Sequence, residues 1–122
     1  MGWTLTIVET TKDLIFGGFT TAEWEYSVIY KPDPHSFLFS VNEGSKYPVT
    51  SGGKWAIYCD SDCCAAFGDG ELLIASDSYN DNTYSYCYAN RSCFKLPAAK
   101  GSEYPSFNGG EKWFILKQFE VY

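Results

Sequence analysis

No window of about ten residues in this chain carries its apolar side chains at clean helical spacing; the patterned segments alternate with a period of two instead. Glycine, proline and Asn/Asp clusters interrupt each segment before it grows long. The firmest break is Lys31-Pro32-Asp33-Pro34. Residues before proline avoid the helical region, so that stretch is extended and no helix crosses it.

The run at residues 4–9, Thr-Leu-Thr-Ile-Val-Glu, is β-branched and roughly alternating, and Thr11-Lys12-Asp13 separates it from a second run at 14–19. Together they predict a hairpin. Gly17-Gly18 falls inside or at the end of its second strand, where glycine marks a bulge or a close backbone approach. Trp24, Tyr26 and Tyr30 lie in an irregular stretch. Residues 36–41 predict a strand with Phe37, Phe39 and Val41 on one face and Leu38 among polar neighbours on the other. Asn42-Glu43-Gly44-Ser45 is the turn that ends it. Two more strands are expected among the segments 47–49, 54–59 and 72–76, and a long one at 113–122, which is too aromatic and β-branched to prefer helix. Residues 77–83, polar and Asn/Asp-rich, read as an exposed loop. The expected fold is mainly β, a two-sheet antiparallel sandwich with little helix, as one domain over residues 1–122.

Composition narrows the function. The chain has ten Tyr, nine Phe and four Trp, ample for a core. A net charge of −6 with no Lys/Arg cluster argues against nucleic acid, whose binding depends on basic residues releasing counterions. No apolar run reaches membrane-spanning length, so membrane insertion is not expected. The N-terminus has no basic n-region or apolar h-region of a secretory leader. Met1-Gly2 with Thr6 superficially resembles a myristoylation signal, but the flanking residues read as a buried strand. Five cysteines, Cys59, Cys63, Cys64, Cys87 and Cys93, then read as reduced thiols of an intracellular, cytoplasmic protein. Asn90-Arg91-Ser92 is a glycosylation triplet that matters only in a secreted chain.

No set of residues forms a legible catalytic constellation. His35 is the sole histidine; nothing places a cysteine beside it, and a turn or surface role is expected. The stretch from Asp60 and Asp62 to Glu71 imitates a calcium loop, with carboxylates at positions one, three and twelve. It has Cys64 at position five and Ala65 where the sharp turn needs glycine, so a solvated acidic loop is the expectation. Cys59, Cys63 and Cys64 with Cys87 and Cys93 lack the paired Cys-x2-Cys spacing of structural zinc. Glycine pairs elsewhere lack the Lys-Ser/Thr ending of a phosphate loop. No cofactor is expected. Trp24, Tyr26 and Tyr30 are candidate anchors of a binding surface, although a core-facing aromatic is the more ordinary reading.

The order of the motifs carries a resemblance. Residues 4–9, then Ile15-Phe16-Gly17-Gly18-Phe19-Thr20 with Trp24, then Tyr30-Lys31-Pro32-Asp33-Pro34 running into Phe37-Leu38-Phe39-Ser40, resemble TLDc domains, especially divergent protist members. Lys46-Tyr47-Pro48, Ala56-Ile57-Tyr58-Cys59, Phe67-Gly68-Asp69-Gly70 before Leu72-Leu73-Ile74, and Phe119-Glu120-Val121-Tyr122 follow in the family's order. Two departures stand out: no helical segment precedes the first strand, and Asp69 occupies a position where the family's turn usually has a third glycine. The resemblance implies a sandwich of two antiparallel sheets with a few peripheral helices. It implies a non-enzymatic role in protection against oxidative stress and in binding and modulating the vacuolar proton-pumping ATPase. The positions it carries over are Gly17, Gly18, Phe19, Trp24, Gly68, Gly70 and Glu120, most of which a structural role explains at least as well.

Two other readings stand beside this one. A ligand-binding sandwich of glycan type, outside the cell or in a lumen, would use the aromatics, the Asn90 triplet and the cysteines. A thiol-based redox protein would need an exposed thiolate of depressed pKa. Cys63 and Cys64 lie among Asp60, Asp62 and Asp69, which should raise thiol pKa values instead.

Overall fold

The computed structural model describes residues 3–24, 29–50, 55–59, 63–68, 70–75, 85–89, 93–94 and 96–122, with only the backbone described at Cys63, Cys64, Ala75 and Phe119. Among the described residues, ten strands form two five-stranded antiparallel sheets. The first has the order β10 (Leu116–Val121), β1 (Thr4–Thr10), β2 (Ile15–Thr20), β4 (Phe37–Ser40) and β5 (Ser45–Pro48). The second has the order β3 (Ile29–Lys31), β6 (Ile57–Cys59), β7 (Cys63–Phe67), β8 (Leu72–Ala75) and β9 (Tyr86–Cys87). The predicted sandwich is what the chain forms. Among the described residues the helical content is one 3-10 turn, Ser106–Asn108, rather than the peripheral helices the resemblance implied.

The predicted hairpin is β1–β2. Its turn closes through the Thr10 amide donating to Leu14 O and the Asp13 amide donating to Thr10 O, at 2.9 and 3.0 Å. Asp13 there adopts φ 64°, a region aspartate tolerates better than most residues. Alternation places Thr6, Val8 and Thr10 inward on β1. On β4 the inward residue is Leu38, fully buried, with Ser36 and Ser40 also buried. Phe37 and Phe39 are half-buried on the outside, and Val41 lies beyond the strand at 59% exposure. The face of Phe37, Phe39 and Val41 therefore points outward. Phe37 stacks on Phe19 with ring centres 5.0 Å apart, and the Lys46 ammonium lies 4.5 Å over its ring.

Phe16, Phe67, Phe94 and Phe107 are fully or almost fully buried between the sheets, each contributing about 1.5–3 kcal/mol by removal of its ring from water. The 3-10 turn supplies Phe107, whose ring lies 4.7 Å from that of Phe16, while Phe114 meets Phe16 edge-on at 5.1 Å.

The segment expected to be a solvated acidic loop corrects the reading of the sequence. Its middle, Cys63–Phe67, is the central strand of the second sheet, and Glu71 is fully buried. Ala65, Ala66 and Phe67 are all buried, so β7 shows no alternation to reveal it. Its alanines have little intrinsic preference for strand. The irregular stretch around Tyr30 likewise contains β3, and the terminal strand starts at Leu116 rather than at 113. The loop at 77–83 lies outside the described residues.

Candidate functional site

Consecutive glycines in β2 make the close approach predicted for them, on both faces and without a bulge. Gly17 points outward: a Cβ there would strike the Thr6 backbone oxygen and come within 2.9 Å of the Phe39 ring. Gly18 points inward, where a Cβ would lie 2.6–2.7 Å from Phe67 ring carbons. Trp24 closes the other side of Phe67, meeting its ring edge-on at 5.6 Å and donating from Nε1 to Thr4 Oγ1 at 3.0 Å. Trp24 thus serves the core rather than a binding surface. Phe19 joins an outer ladder with Trp3 and Phe37.

Gly68 and Gly70 shape the β7–β8 turn, at φ 70° and 95°, values other residues adopt only with strain. Gly68 also makes room for the Glu71 side chain, whose Oε1 lies where a Cβ would be. Glu71 Oε2 accepts the backbone N–H groups of Cys93 and Phe94, both at 2.8 Å. The carboxylate considered for calcium is turned into the protein and engaged with backbone amides. Asp60, Asp62 and Asp69 lie outside the described residues, as do Tyr26 and Asn90. Glu120 is exposed on β10 and accepts the Tyr122 hydroxyl.

A second buried carboxylate was not singled out in the sequence. Asp33 accepts Thr20 Oγ1 at 2.7 Å, the Thr21 amide at 2.6 Å, Thr21 Oγ1 at 2.8 Å and the His35 amide at 3.0 Å. Burial alone, the largest influence, would raise its pKa. The hydrogen bonds from the Thr21 amide, the Thr20 hydroxyl, the His35 amide and the Thr21 hydroxyl together outweigh it and hold the carboxyl below its ordinary value. The signal was an Asp between two prolines, a turn-forming pattern. His35 is exposed on the turn that Asp33 ties down.

Cys59, Cys87 and Cys93 are buried. Burial pushes the Cys87 thiol up to about 12, opposed by Asn108, which is the reverse of a reactive thiolate. No three His, Cys, Asp or Glu residues converge on a metal-sized site among the described residues.

The outer face of the second sheet is different in kind. Antiparallel register aligns Tyr30 with Tyr58 and Leu73 with both Ala66 and Tyr86. The pairing of Ile57 with Phe67 places Tyr58 beside Ala66, so the outward side chains form one row across all five strands. The row has tyrosines toward its ends and small or aliphatic residues in the middle. It therefore forms a groove of about 290 Å³, to which Gly68 and Gly70 contribute. Trp55, 47% exposed, extends it beyond Tyr30 with ring centres 6.2 Å apart. Tyr30, proposed from the sequence as a surface anchor, stands at its rim at 39% exposure. Tyr58, Leu73 and Tyr86 went unnoticed because their common face depends on register. Aromatic walls with hydroxyl tips around an apolar floor suit recognition of another molecule.

A family model for the TLDc domain matches residues 1–122, the whole chain. No curated protein matches it. The chain belongs to the TLDc family, in agreement with the order of its motifs.

Proposed function

We propose that this TLDc domain works as a non-enzymatic, intracellular protein-interaction module whose partner docks on the tyrosine-walled groove of the second sheet. The carrying observation is the row Tyr30, Tyr58, Ala66, Leu73 and Tyr86. Aromatic side chains around a concave apolar centre are the usual anchors of protein interfaces. The buried Cys59, Cys87 and Cys93 favour binding over thiol chemistry. TLDc proteins are associated with oxidative-stress protection and with the vacuolar proton-pumping ATPase, and we assign that ATPase as the partner.

The test is a pull-down of vacuolar ATPase subunits under assembled and disassembled conditions. The wild-type chain should recover them, and Y30A/Y86A should lose at least about tenfold in affinity, as expected for removal of two anchors, while keeping its circular dichroism spectrum. Failure of the wild type under both conditions removes the partner. Equal recovery by the variant removes the groove. A glycan would also stack on such tyrosines, and five titratable thiols in the native protein would dismiss the disulfide-bonded version of that reading.

A further inference from the structure

Next to the groove, sharing Tyr86 with it, three aromatic rings surround one ammonium. Lys112 Nζ lies 4.4 Å from the ring centre of Trp113, 5.0 Å from Tyr88 and 5.5 Å from Tyr86. The rings brace one another edge to face. Tyr86 meets Trp113 at 5.7 Å and 84°, and Tyr88 at 5.6 Å and 73°; Tyr104 packs against Tyr88 at 5.6 Å. Edge-to-face packing is the preferred arrangement of such quadrupoles, and it leaves ring faces open to a cation.

The backbone, not the lysine side chain, positions these walls. The Cys87 amide donates to Lys112 O at 2.9 Å and the Phe114 amide to Ser85 O at 3.3 Å, so residues 112–114 run antiparallel beside β9. Asn108 Nδ2 donates to Glu111 O at 2.8 Å and to Trp113 O at 3.2 Å, fixing the same segment from the other side. Gly70 leaves space beneath, since a Cβ there would already touch Tyr86 and Tyr88 at 3.5 Å. Trp113 remains 49% exposed. If the flexible stem of Lys112 swings into water, the walls stay in place.

A primary ammonium is strongly hydrated and gives up an aromatic site cheaply. A trimethylammonium group is weakly hydrated, too large for a single hydrogen bond, and matched to several ring faces at once. We propose that Tyr86, Tyr88 and Trp113 form a recognition site for a trimethylammonium group, with Lys112 acting as a built-in competitor that the ligand displaces. The group could be carried by a choline-type small molecule or by a trimethylated lysine side chain.

The test is NMR titration of the 15N-labelled 122-residue chain, following the Trp113 indole N–H. Tetramethylammonium should shift that signal saturably. K112A should bind about 3–10-fold tighter than wild type, the cost of displacing the ammonium from the ring faces and from its hydrogen bond with Tyr88. For W113L, followed at the Tyr86 and Tyr88 amides, binding should vanish. Choline should bind at least about fivefold tighter than its neutral isostere 3,3-dimethylbutanol, because the attraction is to charge. A trimethyllysine peptide binding more than tenfold tighter than choline identifies a protein side chain as the source; equal affinity identifies a small molecule, and either result upholds the site. The proposal is overturned if neither wild type nor K112A shows saturable shifts, or if the neutral isostere binds as well as choline. The isostere comparison needs only the wild-type chain, so it decides the matter even if the variants fail to fold.

Discussion

The ring of Phe67 occupies the space that a Cβ on Gly18 would need, its nearest carbons lying 2.6–2.7 Å from that position. The ring cannot retreat, because Trp24 meets it from the side and Phe67 is fully buried. G18A should therefore cost at least about 2 kcal/mol through overpacking, measured as a shift of the urea midpoint at constant m-value. The clash is with a side chain, so shortening that side chain should relieve it. G18A/F67L should lose about 1 kcal/mol or more less than the sum of the single changes. G17A provides the contrast: its Cβ meets the Thr6 backbone oxygen, so F39L should not rescue it.

Gly68 and Glu71 form a second coupled pair. E71A leaves the buried Cys93 and Phe94 amides without the oxygen they share, and about 3–5 kcal/mol should be lost. E71Q keeps an acceptor but surrenders the charge, and should cost about 1–2 kcal/mol. G68A alone suffers both the left-handed backbone and contact with the carboxylate, so a loss of about 2–3 kcal/mol is expected. In an E71A background the carboxylate contact disappears, and the added cost of G68A should fall to that of the backbone and the closeness of Cys93 Cβ. A double-mutant cycle by chemical denaturation measures this directly, and strict additivity would separate the two residues.

The β1–β2 hairpin was legible because Thr6, Val8 and Thr10 alternate with outward residues and Asp13 sits in a polar break. β7 was not, because Ala65, Ala66 and Phe67 are buried on both faces of a central strand, which erases the period of two. Leu38 and the Phe37/Phe39 pair show another limit. Alternation separates the two faces but does not say which is the core when the outer face is itself aromatic. The groove was the least legible feature, since Tyr30, Tyr58, Leu73 and Tyr86 lie far apart in sequence and meet only through register. The family glycines were visible as motifs, yet their partners Phe39, Phe67 and Glu71 required the fold.

Acid sensitivity should pass through Asp33. Its folded pKa is depressed, so its contribution to stability is fully present above the ordinary carboxylate value and is lost as pH falls through the folded pKa. D33N should cost about 1–3 kcal/mol at pH 7, where two hydroxyls and two amides lose a charged acceptor. As pH falls below the ordinary carboxylate range and through the depressed folded pKa, the wild-type side chain becomes neutral as well, so the two stability curves should converge. Urea denaturation from pH 7 to pH 2.5 checks this, and curves that remain parallel would show that another carboxylate governs the transition.

Thr6 offers a change in the opposite direction. Its hydroxyl is fully buried and is the one buried side-chain polar atom among the described residues without a hydrogen-bond partner. Burying an unpaired hydroxyl costs about 1–3 kcal/mol relative to an apolar group of the same shape. Valine keeps the β-branched outline and strand preference at this position in β1, which pairs with Gly18 on one side and Val121 on the other. T6V should therefore raise stability by about 0.5–1.5 kcal/mol, seen as higher urea and thermal midpoints. A loss of more than about 1 kcal/mol would mean that the hydroxyl is satisfied by a buried water, whose removal carries a cost of that size.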